Sequence, residues 1–339
     1  MELGVYTFGD ITPDPATGRA IGVAERYAEI VAAAKLADAA GLGVFGVGEH
    51  HRLDIAIASP AVVMAALAAV TKRIRLASAV TVLPTLDPVR VFQDFATVDL
   101  LSGGRAEIIA GRGAFTESYP LFGNDAAEKD ALFAEKLDLL LKLNDNERVT
   151  WHGRFRSPLD NAEISPRPVD KLAIWVGVGG TAESAIRAGE LGLPVILANI
   201  TQPPANFAGQ IAAYRQRFSA RGHDPRNLKV AVSTHVHVAK ESQAALDEFY
   251  PYYNAYFSAH LRRAAPAGVV PRDLYDQRAA ATGPIFVGSP QQIVDKLCYE
   301  RELFGIDRFL AQVDLGGMPY AKVARSIELL ATEVLPKVR

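Results

Sequence analysis

One short unit recurs along the chain and limits what it can fold into: an alanine-rich helical stretch, a glycine, then a run of apolar residues. A helical pattern over 24–40 stops at Gly41 and gives way to Val44-Phe45-Gly46-Val47. A second over 182–191 stops at Gly192 before Pro194-Val195-Ile196-Leu197, and a third over 290–304 stops at Gly305 before Arg308-Phe309-Leu310-Ala311. Glycine just past a helix accepts the left-handed backbone that ends it. The runs that follow are too short and too continuously apolar to be half exposed, so they read as strands buried on both faces. Such strands, alternating with helices, mean a parallel sheet covered by helices.

Eight such runs are present, at 2–8, 43–48, 74–82, 106–110, 173–178, 194–198, 229–238 and 308–314, each followed by a helical segment. Eight βα units favour a closed (β/α)8 TIM barrel over an open sheet. Nothing resembles a linker, a low-complexity tract or a charge block, so residues 1–339 are read as one domain. Two stretches, 111–128 and 264–288, are much longer than the usual connection of about 4–6 residues. The barrel reading makes them extended loops at the C-terminal face, where barrels build their active sites.

Composition narrows the partners. Asp and Glu number 38 against 36 Lys and Arg, a net charge of −2, so no global field draws in nucleic acid or an anionic membrane. The longest apolar run, Ala61 to Val70, is half the roughly 20 residues that cross a bilayer. The lone Cys298 forms no internal disulfide and no cysteine-rich zinc module. Met1 leads into Leu3-Gly4-Val5-Tyr6 without a basic segment, so no signal peptide is visible and a cytoplasmic location is expected.

The residues just past the strand ends are the candidates for chemistry. After the second run stands Glu49-His50-His51-Arg52. Imidazole titrates near neutrality, and neighbours at a strand end point in opposite directions, so one of His50 and His51 is expected in the barrel mouth; the alternative is a histidine satisfied by backbone groups. After the fourth run Arg112 sits between Gly111 and Gly113. Its guanidinium suits bidentate bonds to phosphate, or else a surface pair with a carboxylate such as Glu117. After the fifth, Gly177-Val178-Gly179-Gly180-Thr181 opens a helix with Ser184 in its first turn. Uncovered N–H groups at a helix N-terminus, with two hydroxyls, favour a phosphate. The spacing also fits G-x-G-x-x-A through Ala182, but the next run ends in Leu197-Ala198-Asn199, without the acidic residue a dinucleotide fold uses for its ribose.

Ser233, His235 and His237 share one face of the seventh run. A His-x-His pair suits metal, but no acidic residue lies beside it in sequence, so barrel layering is preferred and no metal is expected. Phe249, Tyr252, Tyr253, Tyr256 and Phe257 fall at helical spacing and read as a core stripe, or else as a substrate wall.

The order and spacing of these segments carry a resemblance. Gly43-Val44-Phe45-Gly46-Val47-Gly48-Glu49-His50-His51 leads to Ile74-Arg75-Leu76-Ala77-Ser78-Ala79-Val80-Thr81-Val82-Leu83-Pro84, then Asp87-Pro88-Val89-Arg90, Asp99-Leu100-Leu101-Ser102-Gly103-Gly104-Arg105, Gly111-Arg112-Gly113 and Gly192-Leu193-Pro194. Over nearly its whole length the chain resembles the luciferase-like monooxygenases, flavin-dependent barrels related to the bacterial luciferase α subunit. The resemblance implies an FMN-type flavin at the C-terminal mouth. Arg112 matches the arginine that grips its phosphate, Gly180 and Thr181 match backbone-amide donors, and Ser184 matches a hydroxyl donor. Ala79–Val80 matches a non-prolyl cis peptide lying against the ring, and His50 matches the family's catalytic histidine, with a part in proton transfer. Two positions depart: Gly111 replaces a reactive cysteine, and Asn199 replaces a tryptophan near the ring, which argues against light emission.

The resemblance implies a monooxygenase that takes reduced FMN and O2 to a small organic substrate. No second nucleotide fold is present for NAD(P)H, so a separate NAD(P)H–flavin reductase is expected to supply the reduced flavin. Phe8, Phe115, Tyr119 and Phe122 are expected to line an apolar pocket. The family often dimerises through the helices after strands two and three, and the small apolar residues of Ala61–Val70 suit a homodimer. The rival readings are hydride transfer with the deazaflavin F420, a non-catalytic flavin-binding accessory protein, and a metal-dependent hydrolase using His235 and His237.

Overall fold

A computed structural model describes residues 1–179, 181–261 and 269–339. Eight strands form the barrel: β1 (Glu2–Thr7), β2 (Val44–Val47), β3 (Arg75–Ser78), β4 (Ala106–Gly111), β5 (Ala173–Val178), β6 (Val195–Ala198), β7 (Val230–Val238) and β8 (Arg308–Gln312). Each pairs in parallel with the next, and β8 returns to β1 with Glu2 opposite Arg308 and Tyr6 opposite Gln312, which closes the ring. All eight runs read from the sequence are barrel strands. Around them lie α1 (Val23–Ala39), α2 (Pro60–Val70), α3 (Pro88–Ser102), α4 (Lys129–Asp145), α5 (Ala182–Leu191), α6 (Ala208–Ala220), α7 (Ser242–Leu261), α8 (Arg272–Ala279), α9 (Pro290–Phe304) and α10 (Tyr320–Leu329). Gly192 and Gly305, at φ 71° and 56°, end α5 and α9 in the left-handed region, as the sequence pattern required.

Two segments differ from expectation. A hairpin of Arg148–Trp151 and Leu159–Glu163 precedes β5. It buries only Val149 fully, so it carries no alternating pattern to read. The stretch 264–288, expected as a loop, contains α8 and a short strand, Phe286–Gly288, that pairs with the end of β7. One buried aromatic, Tyr275, anchors α8 against Tyr250 and Tyr253, and a single anchor leaves no helical period in the sequence.

Polar residues tie the shell to the barrel. The Asp99 carboxylate accepts from the N–H groups of Ala106 and Val169, while Arg105 donates to the carbonyls of Ala68, Thr71 and Ile74 at the end of α2. The segment Asp99 to Arg105 is therefore a structural clasp. At the N-terminal end of the barrel, Arg308 makes two bonds to the Glu107 carboxylate, pairs with Glu2, and stacks 4.4 Å over Trp175. This buried network fills that end and leaves the chemistry to the opposite one. Among the described residues no helix is long and apolar enough to cross a membrane.

Candidate active site at the barrel mouth

Inside the barrel Tyr6, Val44, Ala77, Ala79, Ile109, Trp175, Ile196, Ala231 and Leu310 pack together, with Phe8 and Val80 against them. The floor of the mouth is shaped where β3 ends. The Ala79–Val80 peptide is cis, and the chain resumes pairing with β4 at Thr81 opposite Ala110 and Val82 opposite Gly111. The Val80 side chain then lies over two glycines. A Cβ on Gly111 would come within 2.6 Å of Val80 Cγ2, and one on Gly177 within 3.2 Å of its Cγ1. Position 111 carries no side chain because Val80 occupies the space it would need.

The end of β2 sorts its two histidines. The buried Glu49 carboxylate accepts from the N–H of Val82 at 2.9 Å and lies 3.0 Å from His51 Nε2. His51 is therefore held to Glu49 and packs on the half-exposed Phe122, at a ring distance of 5.0 Å. His50 takes different partners, with its ring 4.7 Å from Phe8 and 5.2 Å from Phe115. Its Nδ1 lies 3.4 Å from Glu117 Oε1. Burial pushes the Glu117 pKa up, but the hydrogen bond to His50 and the charges of His50 and Arg52 outweigh it and hold the carboxyl below its ordinary value. Beside them Asp54 holds Nε and Nη2 of Arg52, whose guanidinium sits 5.1 Å over the Phe115 ring.

Arg112 does not take Glu117, which is engaged by His50; it pairs instead with Asp130 at the start of α4. The Tyr119 hydroxyl donates to the Arg112 carbonyl at 2.7 Å, fixing the backbone there. Of the four aromatics expected to line a pocket, Phe8 and Phe115 thus flank His50, whereas Tyr119 packs under Arg112 and Phe122 lies on His51. The register of Ala110 with Val176 sets the Arg112 loop beside the loop entering α5. There Thr181, in extended conformation at the helix N-cap, caps nothing with its side chain, and its hydroxyl lies 3.5 Å from that of Ser184. Gly180 lies outside the described residues. A guanidinium, two hydroxyls and a helix N-terminus on adjoining loops fit a phosphoryl group. The Val80 bulge between the glycines offers an apolar shelf for a planar ring beside it.

His235 is buried among Tyr253, Tyr256 and Phe257, at ring distances of 6.0, 5.2 and 5.9 Å. The α7 stripe is core packing against β7. His237 stacks on Phe249 and lies 3.0 Å from Glu248 Oε2, so an acidic residue does stand beside the pair in space. Burial lowers the His237 pKa despite that partner. Among the described residues no three metal-ligating side chains come together.

Sequence reasoning missed Glu117 as the partner of His50, and it missed the end of β8. There Gln312 is buried between Tyr6 and His235 in the register. Asp314, pushed up to about 6 by burial, accepts from the Thr7 hydroxyl. Polar residues at 312 and 314, ending an otherwise apolar run, were the signal available.

A model of the family described as luciferase-like monooxygenase matches residues 1–308. Among similar proteins, the oxygenase component of a flavin-dependent trigonelline monooxygenase from Acinetobacter baylyi is 25% identical over 336 residues, covering 91% of this chain and 89% of that protein. The 4-hydroxyprotoasukamycin monooxygenase of Streptomyces nodosus subsp. asukaensis is 29% identical over 314 residues, covering 86% and 81%. A monooxygenase structure from Streptomyces bottropensis superposes with a TM-score of 0.86 at 25% identity, over 100% of both chains.

Proposed function

This chain belongs to the luciferase-like monooxygenase family and is a flavin-dependent oxidoreductase, and we propose that it is the oxygenase of a two-component system. It takes FMN already reduced by a separate NAD(P)H–flavin reductase and uses O2 to oxygenate a small organic substrate. The observation that carries this reading is the adjacency of three features at one mouth: the Val80 shelf at the cis peptide, Arg112 beside the helix N-terminus at Thr181, and the His50–Glu117 pair. A relative named as an oxygenase component supports the partner reductase.

Arg112, released from Asp130, would hold the phosphate together with the Thr181 and Ser184 hydroxyls and the backbone at Gly180, while Ala79 and Val80 would carry the ring. When bound, reduced FMN supplies the two electrons by which O2 gives one oxygen atom to the substrate and the other to water. The chain's own part is positioning and proton handling. Glu117 faces Nδ1 of His50, so Nε2 is the atom left to hold or deliver a proton at the mouth. Phe8 and Phe115 on either side of that imidazole keep water from it.

The protein is proposed to work as a homodimer in the cytoplasm. Val62 and Leu101, 69% and 62% exposed, lie on the packed helices α2 and α3 with Val70 and Leu100 also exposed. Ala66 and Ala69 complete an outward face of α2 with no charge on it. Such a face suits a second copy of the same helices.

The test is an anaerobic titration with reduced FMN, FMN and F420, followed by air. Tight binding of reduced FMN and rapid oxygen uptake on admission of air are expected. Binding of F420 in place of FMN, without oxygen uptake, would move the chain to hydride transfer, and binding of neither would overturn the reading.

A further inference from the structure

On the His50 side of the mouth, Phe8 and Phe115 pack on the His50 ring, and one guanidinium, that of Arg52, sits over Phe115. The Arg52 side chain is 1% exposed. Asp54 occupies its Nε and Nη2, Phe115 packs beneath it, and the buried Tyr256 phenol lies within its electrostatic reach. The remaining nitrogen, Nη1, is buried and has no hydrogen-bond partner among the described residues. A buried donor without an acceptor is costly, and an arginine placed this way asks for an oxygen from outside the chain.

The charges around it say which oxygen. Among the described residues Asp54 balances Arg52 and Glu117 is engaged by His50, so a further carboxylate would add a third negative group beside them. A carbonyl oxygen supplies the acceptor without the charge. We infer that Arg52 Nη1 is the substrate anchor: it takes the carbonyl oxygen of a neutral, ring-sized substrate whose apolar body packs on Phe115 and Phe8. This rests on the monooxygenase reading, which makes the His50 side the substrate's side. It goes further in naming the substrate class, a neutral ketone, ester or amide, and the residue that selects it.

The experiment measures binding of three matched probes to the FMN-loaded protein by equilibrium dialysis: acetophenone, ethylbenzene of nearly the same size without the oxygen, and benzoate. Acetophenone is expected to bind about tenfold or more tighter than ethylbenzene, and tighter than benzoate. In Arg52→Met the ratio of acetophenone to ethylbenzene falls to near one, with affinity for FMN unchanged. Arg52→Lys, which keeps a cation and guards against loss of folding, retains part of the preference. The inference is overturned if acetophenone fails to bind, binds no better than ethylbenzene, loses to benzoate, or keeps its preference in Arg52→Met. Binding of reduced FMN and oxygen uptake by the unmodified protein report separately on the monooxygenase reading.

Discussion

His50 Nδ1 and Glu117 Oε1 lie 3.4 Å apart, joining the end of β2 to the loop after β4 across 67 residues of sequence. The contact orients the imidazole between Phe8 and Phe115 and fixes which ring nitrogen faces the mouth. It also depresses the Glu117 pKa, so the pair can be followed by pH as well as by activity.

Replacing Glu117 by Gln keeps the shape and removes the charge. Turnover is expected to fall about tenfold at neutral pH, through misorientation of His50. A carboxyl with a depressed folded-state pKa contributes stability above its ordinary value, and that contribution disappears as pH falls through the depressed one. Denaturant titration should therefore show wild type more stable than Glu117→Gln by about 0.5–1 kcal/mol at pH 7, with the difference lost as pH falls below the ordinary carboxylate range. A gap that persists in acid would place the stabilisation elsewhere.

Asp130 holds the guanidinium proposed to grip the phosphate. Arg112→Ala is expected to weaken reduced FMN by about 10–100-fold, the worth of a charge-assisted bond. Asp130→Asn should act in the opposite direction and tighten it a few-fold, since the arginine no longer has to leave a carboxylate. Flavin fluorescence titration distinguishes the two, and a weaker Asp130→Asn would assign Asp130 to the site itself.

A side chain at position 111 meets Val80 at 2.6 Å. Gly111→Cys is expected to lower stability by about 1–3 kcal/mol through overpacking. Adding Val80→Ala should restore most of it while weakening flavin binding, because the shelf is lost. Thermal melts of the single and double variants check the coupling; simple additivity would mean that the two positions do not touch.

The outward face of α2 and α3 carries the dimer proposal. Val62→Glu combined with Leu101→Glu should leave the melting temperature within a few degrees and produce monomers in sedimentation equilibrium. A wild type that is already monomeric would end this proposal.

The barrel was legible because its signals are local. Each strand is a short apolar run, and α5 and α9 end at glycines whose left-handed backbone is a property of the residue itself. The kinds of group that Thr181, Ser184 and Arg112 bring to the mouth were legible for the same reason: glycine, hydroxyl and guanidinium are read by type. The helix inside 264–288 was not, because one anchor, Tyr275, has no period to display.

The identity of partners was decided by the tertiary structure. Sequence offered Glu117 to Arg112, its near neighbour; closure of the barrel brought Glu117 to His50 and Asp130 to Arg112. It likewise showed no acid beside His237, whereas α7 folds back over β7 and delivers Glu248. The sequence by itself determined the strands, their order, and the kinds of group at the mouth, since hydrophobic period and backbone preference act within a few residues. Which carboxylate meets which base, and that Val80 fills the space a cysteine would need at position 111, depend on segments brought together by barrel closure, and only the folded chain sets those distances.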